Sequence, residues 1–180
     1  MEQAAAPSSA KVAIKWSLIY VLVAIVITYA SEIARLAVNS PVKYVTYVVF
    51  IIFLLLAQKE HRDKLGGYIK FGDAFVTGLL YGVFAGVLTA IFVYLYLSIL
   101  SPEVFAQALE QQRQAMADSG KMSSDQVDHA MDIAKKYGPI LGSIGAAFMY
   151  AILGVIIGLI GAAILKKEPS IYNTPDSSTV

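Results

Sequence analysis

Residues 74–100 read AFVTGLLYGVFAGVLTAIFVYLYLSIL, without one charged side chain. Wound as an α-helix at 1.5 Å per residue, this stretch extends about 40 Å, more than the roughly 30 Å hydrocarbon thickness of a bilayer. It also carries a period. Ala74, Gly78, Gly82, Gly86 and Ala90 recur at every fourth position. Residues four apart share a helix face, so the row forms a shallow groove that another helix backbone can enter. A long apolar run with such a groove reads as a membrane span packed tightly on another helix.

Three further apolar runs flank it, at 14–38, 42–58 and 139–165. The first and last are long enough to cross a bilayer with some tilt. The second is short, and Lys43 and Lys59 extend its reach by snorkelling to the headgroups. The fourth repeats the small-residue device at Gly154, Gly158 and Ala162, in a row with Gly142 and Ala146. The first two runs contain no glycine. Spans three and four are therefore expected to form the tight pair, within one chain or across a homo-oligomer seam. Gly78, Gly82, Gly86, Gly154 and Gly158 are the helix-packing candidates.

Composition points the same way. Hydrophobic residues make up 57% of the 180 and charged residues 15%, against about 25% charged in an ordinary soluble domain. Lipid is the implied solvent, and the bilayer the first partner. A formal net charge of +1 without a long basic run gives no basis for nucleic-acid binding. Cysteine is absent, so there is no disulfide, thiolate metal site or cysteine nucleophile. No phosphate-binding glycine loop, zinc-protease helix, serine-hydrolase elbow or catalytic carboxylate pair is present. The expectation is a chain that is not an enzyme and takes no cofactor or metal. His129, Met131 and Asp132 invite a metal reading, but positions 129 and 131 lie about 200° apart on a helix.

Between the third and fourth runs lies a polar connector, 101–138. Ser101 suits an N-cap, with Pro102 at the first helical position and Glu103 at the positive helix end. Ser119-Gly120 stops that helix. Ser123 and Gln126 stand at capping-box spacing and start another, which is expected to end at Gly138-Pro139. Val104, Phe105, Ala108, Leu109 and Met116 stripe the first helix; Val127, Met131 and Ala134 stripe the second. The whole is therefore an all-α membrane protein of four transmembrane helices, with an amphipathic helical hairpin between spans three and four. The stripes have three candidate partners: each other, the membrane surface or another protein.

Few ionisable residues lie near membrane depth. Glu32 and Arg35, three apart on one helix face, are the candidate functional ion pair. At the outer interface such a pair contributes little stability. Asp73 reads as a helix cap, and His61, within QKEHRDK, as a solvated loop residue. With four spans both termini share a side. That side holds Lys11, Lys15, Lys59, Arg62, Lys64, Lys70, Lys166 and Lys167, all close to span ends. The positive-inside rule then places both termini and the 58–73 loop in the cytoplasm. Residues 1–10 and 168–180, small, polar and proline-containing, read as disordered.

Several local features recur together: FGDAFVTG at 71–78 entering a glycine-punctuated span, LSPE at 100–103 leading into the Gln/Glu/Met-rich hairpin, and Gly138-Pro139 opening a span that ends in Lys166-Lys167. Over about residues 10–168 the chain resembles the bacterial integral-membrane family catalogued as domain of unknown function 4199. The resemblance implies a bacterial four-span protein, and the inner membrane is the expected location. It brings no assigned activity and no catalytic or binding residue. The leading functional expectation is association through helices, with itself or with a membrane protein partner. The alternative is a small transporter or channel subunit, for which Glu32, Arg35 and Asp73 are the main polar candidates.

Overall fold

The computed structural model describes residues 8–34, 41 and 43–168, the side chain of 43 excepted. It contains five α-helices: α1 Ser9–Ile33, α2 Lys43–Lys64, α3 Phe71–Leu95, α4 Pro102–Asp118 and α5 Ser124–Leu165. A single π turn, Tyr96–Leu100, prolongs α3. Among the described residues there is no strand, only a paired Ile69 and Lys167 that exchange backbone hydrogen bonds of 2.9 and 3.0 Å. Four helices, α1, α2, α3 with its π turn, and α5, are long and apolar enough to cross a membrane.

α3 is the hub. It packs most extensively on α5, then on α1, and also on α2. At the centre Phe50 is fully buried among Tyr20, Tyr81 and Tyr150, with ring centroids 5.4, 5.1 and 5.1 Å away. The Tyr20 hydroxyl donates to the Tyr150 hydroxyl at 2.6 Å, and the Tyr81 hydroxyl to the Phe50 carbonyl at 3.2 Å. Each of these buried phenols so takes part in a hydrogen bond, as buried polar groups require. The outward faces are apolar too: Leu22, Val26, Val87, Ile91, Phe148 and Ile164 are all exposed. In water, continuous apolar patches of this kind drive association; in hydrocarbon they cost nothing.

Several boundaries differ from the sequence reading. Ser9 and Ala10, placed in a disordered terminus, open α1. α2 does not stop near residue 58 but runs through the charged QKEHRDK stretch to Lys64. The helical period persists there: Leu54, Gln58 and His61 face inward and are buried, while Lys59, Asp63 and Lys64 point outward. His61 is 3% exposed, not solvated. The true connection is residues 65–70, turned by Gly66 and Gly67 at φ 81° and 87°, a left-handed conformation that glycine adopts at little cost.

The largest correction concerns Gly138-Pro139. No helix ends there; α5 passes through unbroken for 42 residues, with Pro139 in its interior. At 1.5 Å per residue that is about 63 Å, twice a bilayer core. Proline ordinarily forces the preceding residue out of the helical region by colliding with its Cβ and N–H, and Gly138 has no Cβ. The missing Cβ has a second use, since one placed there would sit 2.6 Å from the Phe105 ring of α4.

α4 runs back antiparallel along residues 124–138 of α5: Phe105 meets Gly138, and Arg113 bonds Asp128 at 2.6 Å. These two segments are called the arm below. The turn between them places Gly120 at φ 63°. Both halves of the Ser123–Gln126 capping box form, at 3.0 and 3.4 Å.

Candidate functional site

The glycines of α3 and α5 face one another within one chain. A Cβ on Gly78 would lie 2.8 Å from the Gly158 Cα; one on Gly82, 2.6 Å from the Gly154 Cα; one on Gly86, 2.7 Å from the Ala147 carbonyl oxygen. Neighbouring backbone is the nearest obstacle at each position, and at Gly78 the Gln58 Nε2 stands 2.9 Å away as well. Gly142 falls outside this seam, exposed and with nothing within 4 Å. The reason is geometric. Four residues turn a helix by about 400°, so a row of fours drifts by about 40° per step and leaves a straight seam after a few turns.

Where this seam meets α2, three helices share one side chain. Gln58 is fully buried and its Nε2 donates to the carbonyls of Ala74 and Gly158, both at 2.9 Å. It so ties α2 to α3 and α5 together. Its Oε1 has no hydrogen-bond partner among the described residues and lies against Gly161, where any Cβ would overlap it. The Gly161 Cα–H points at that oxygen, a weak contact of the kind common between close helices.

One turn further along α2, His61 Nδ1 lies 2.7 Å from Thr77 Oγ1, which donates to the Asp73 carbonyl at 2.8 Å. Thr77 has a single hydroxyl proton, so it accepts from His61, whose Nδ1 therefore carries the proton. Asp73 is not the cap of α3. The capping position is Lys70, and Asp73 stands in the first turn, where its charge faces the positive helix end.

At the surface of the same end Glu60 gathers three donors. It bonds Lys15, Lys64 at 2.8 Å, and the Trp16 indole Nε1 at 2.7 Å. α1 is thereby clamped to α2. Lys15 also lies 5.1 Å over the Trp16 ring, and Lys167 5.5 Å over that of Tyr68.

At the opposite end Glu32 holds the π turn. Its carboxylate accepts from Ser101 Oγ at 3.0 Å and from the Tyr96 hydroxyl at 3.1 Å. Ser101, expected to cap α4 with its side chain, makes no such bond. It is 3% exposed and turned toward α1. Arg35, the other half of the candidate pair, lies outside the described residues.

Gln58, His61 and Glu60 are not evident from the sequence because a charged heptapeptide reads as a loop. The available signal was periodic: Leu54, Gln58, His61 and Leu65 keep helical spacing, and Glu60–Lys64 is an i,i+4 pair. Among the described residues no group of three or more His, Asp or Glu is placed to hold a metal ion. What the arrangement does chemically is to join helices with hydrogen bonds, at the centre and at both ends of the bundle.

No curated protein and no solved structure matches the chain. One family model does, over residues 15–167, and on that match the chain belongs to the family described as protein of unknown function, DUF4199.

Proposed function

We propose that the chain is a multi-pass protein of the bacterial inner membrane, both termini cytoplasmic, that acts without catalysis by associating with a membrane protein partner or a second copy. The arm then stands on the outer side as an amphipathic helical hairpin. The observation that carries this reading is the continuity of α5. Its second half is seamed to α3 through Gly82 and Gly154, and its first half carries α4. A partner that takes hold of the arm thus holds the α3–α5 pair as well. The glycine rows are occupied inside the chain, so association falls to other surfaces. On the arm, Ile133 and Tyr137 are exposed next to Asp132 and Lys136, a mixed surface that suits a partner.

A photoreactive residue in place of Tyr137, activated in native membranes, is expected to yield one discrete protein adduct. Adducts to lipid alone would remove the association role. Orientation has its own test, since the chain lacks cysteine. Ser119→Cys should react with an impermeant reagent from outside, and Lys70→Cys only after the membrane is opened. The reverse pattern would put the arm in the cytoplasm.

A transporter or channel subunit is the second reading. It draws support from Gln58 Oε1 and Thr89 Oγ1, polar atoms buried in the bundle without hydrogen-bond partners among the described residues. Solute flux in liposomes holding the purified chain, above that of protein-free liposomes, would make it the first.

A further inference from the structure

Between α1 and α2, at the end of the bundle where α1 begins and α5 ends, lies an open depression of about 430 Å³ lined by Trp16, Leu56, Lys59, Glu60, Asp63 and Lys64. We propose that it binds the phosphate of an anionic glycerophospholipid, with one acyl chain laid along Leu56.

Charge is the first argument. Lys59 and Lys64 line the depression together with two carboxylates, Glu60 and Asp63, and Lys15 and Arg62, outside its lining, reach those carboxylates as ion-pair partners. Glu60 is shared by Lys15 and Lys64, and Asp63 lies 3.4 Å from Arg62. Lys59 is exposed and forms no ion pair among the described residues. Two positive charges are left in excess. A basic pocket between helices on the cytoplasmic side is the setting in which phosphate headgroups of anionic lipids are held.

Depth is the second. Leu56 and Lys59 are three apart on α2, so they share a face, the leucine one turn nearer the bundle centre. Trp16 forms the opposite wall at the level where indoles meet headgroups. The order from water to hydrocarbon is thus ammonium, indole, leucine, which is the order of phosphate, glycerol and acyl chain in a lipid.

Preorganisation is the third. Glu60 holds Lys64 Nζ at 2.8 Å and the Trp16 indole at 2.7 Å. The wall and one cation are therefore ordered before a ligand arrives, which lowers the entropy cost of binding. The site rests on the reading that the four helices lie in a bilayer with this end cytoplasmic, and it is independent of any role for the arm.

Trp16 is the only tryptophan of the chain, so its fluorescence reports on the depression alone. The full chain in neutral detergent would be titrated with phosphatidylglycerol or phosphatidylcholine carrying brominated acyl chains, which quench indoles on contact. Phosphatidylglycerol should reach half-quenching at a mole fraction about fivefold lower, the scale of one lysine facing an anionic lipid. Lys59→Gln should abolish that preference, while Lys70→Gln, at the same end but outside the depression, should keep it. Equal quenching by the two lipids in the unaltered chain would overturn the proposal. So would a preference that survives Lys59→Gln. Inorganic phosphate that restores fluorescence as well as unbrominated phosphatidylglycerol does would assign the site to a soluble phosphate instead and overturn the lipid. The comparison of lipids needs no variant, so a substitution that fails to fold leaves it decisive.

Discussion

Gly82 and Gly154 meet backbone to backbone, close enough that a Cβ on either would stand 2.6 Å from the Cα of the other. No rotamer relieves such a contact, because the obstacle is main chain. Gly82→Leu is expected to push α3 and α5 apart and lower the stability of the monomer in detergent by about 3 kcal/mol, the upper part of the overpacking range. The oligomeric state should not change, since both glycines belong to one chain. Val83→Leu, one position round the helix and 37% exposed, should be nearly silent. Gly142→Ala, with nothing within 4 Å, should gain up to about 1 kcal/mol from helix propensity. Thermal unfolding with size-exclusion chromatography reads all three. A Gly82→Leu chain as stable as wild type would show that the seam is not closed in the membrane.

Gln58 donates to two carbonyls that face it from α3 and α5. Gln58→Glu replaces that donor with a carboxylate oxygen and turns both contacts repulsive. An uncompensated buried charge costs about 3–5 kcal/mol, enough to leave little folded protein. Gln58→Met keeps the length and removes the unpartnered Oε1, so its loss should be about 1–2 kcal/mol, that of two neutral hydrogen bonds offset in part. The test is the order of melting temperatures: wild type, then Met, then Glu. A glutamate variant as stable as the methionine one would mean that water reaches this position.

Glu32 fastens the π turn to α1 through Ser101 and Tyr96. Glu32→Ala should leave the bundle folded and free the joint between α3 and α4. Hydrogen bonds to an ionised group contribute about 1.5–3 kcal/mol each. Exchange of the Ser101 amide, which bonds the Tyr96 carbonyl at 2.8 Å, should therefore quicken at least tenfold. Amides in the middle of α3 should be unaffected. Uniform acceleration along α3 would instead mean that Glu32 supports the whole bundle.

Phe105 and Gly138 form a lock between α4 and α5. Gly138→Ala sets a methyl 2.6 Å from the ring and should loosen α4, exposing the turn near Gly120 to protease. Phe105→Ala should loosen it too, by loss of buried surface. Together they should be milder than the sum, by about 1 kcal/mol or more, because the collision exists only when both groups are present. Simple additivity in limited proteolysis would deny the contact.

Much of this protein is legible in its residues. Hydrocarbon accepts a backbone only when its hydrogen bonds are closed internally, so apolar runs of about 20 residues had to become helices. The four membrane-length helices follow from that alone, and Ser123 with Gln126 marked the start of α5 because a capping box is a local device. What the sequence left open depended on atoms brought from far along the chain. The charged heptapeptide that begins at Gln58 is helix because Ala74 and Gly158 accept from that glutamine and Thr77 from His61. Ser101 turns from the helix it was placed to cap because Glu32, sixty-nine positions away, offers a charged acceptor. Pro139 does not end α5, since Gly138 spares it a collision and Phe105 fills the space. The repeat of small residues announced a close approach without naming the partner helix or the register. Drift of about 40° per step means that only the crossing of α3 over α5 decides which glycines touch, and that is a property of the packed bundle.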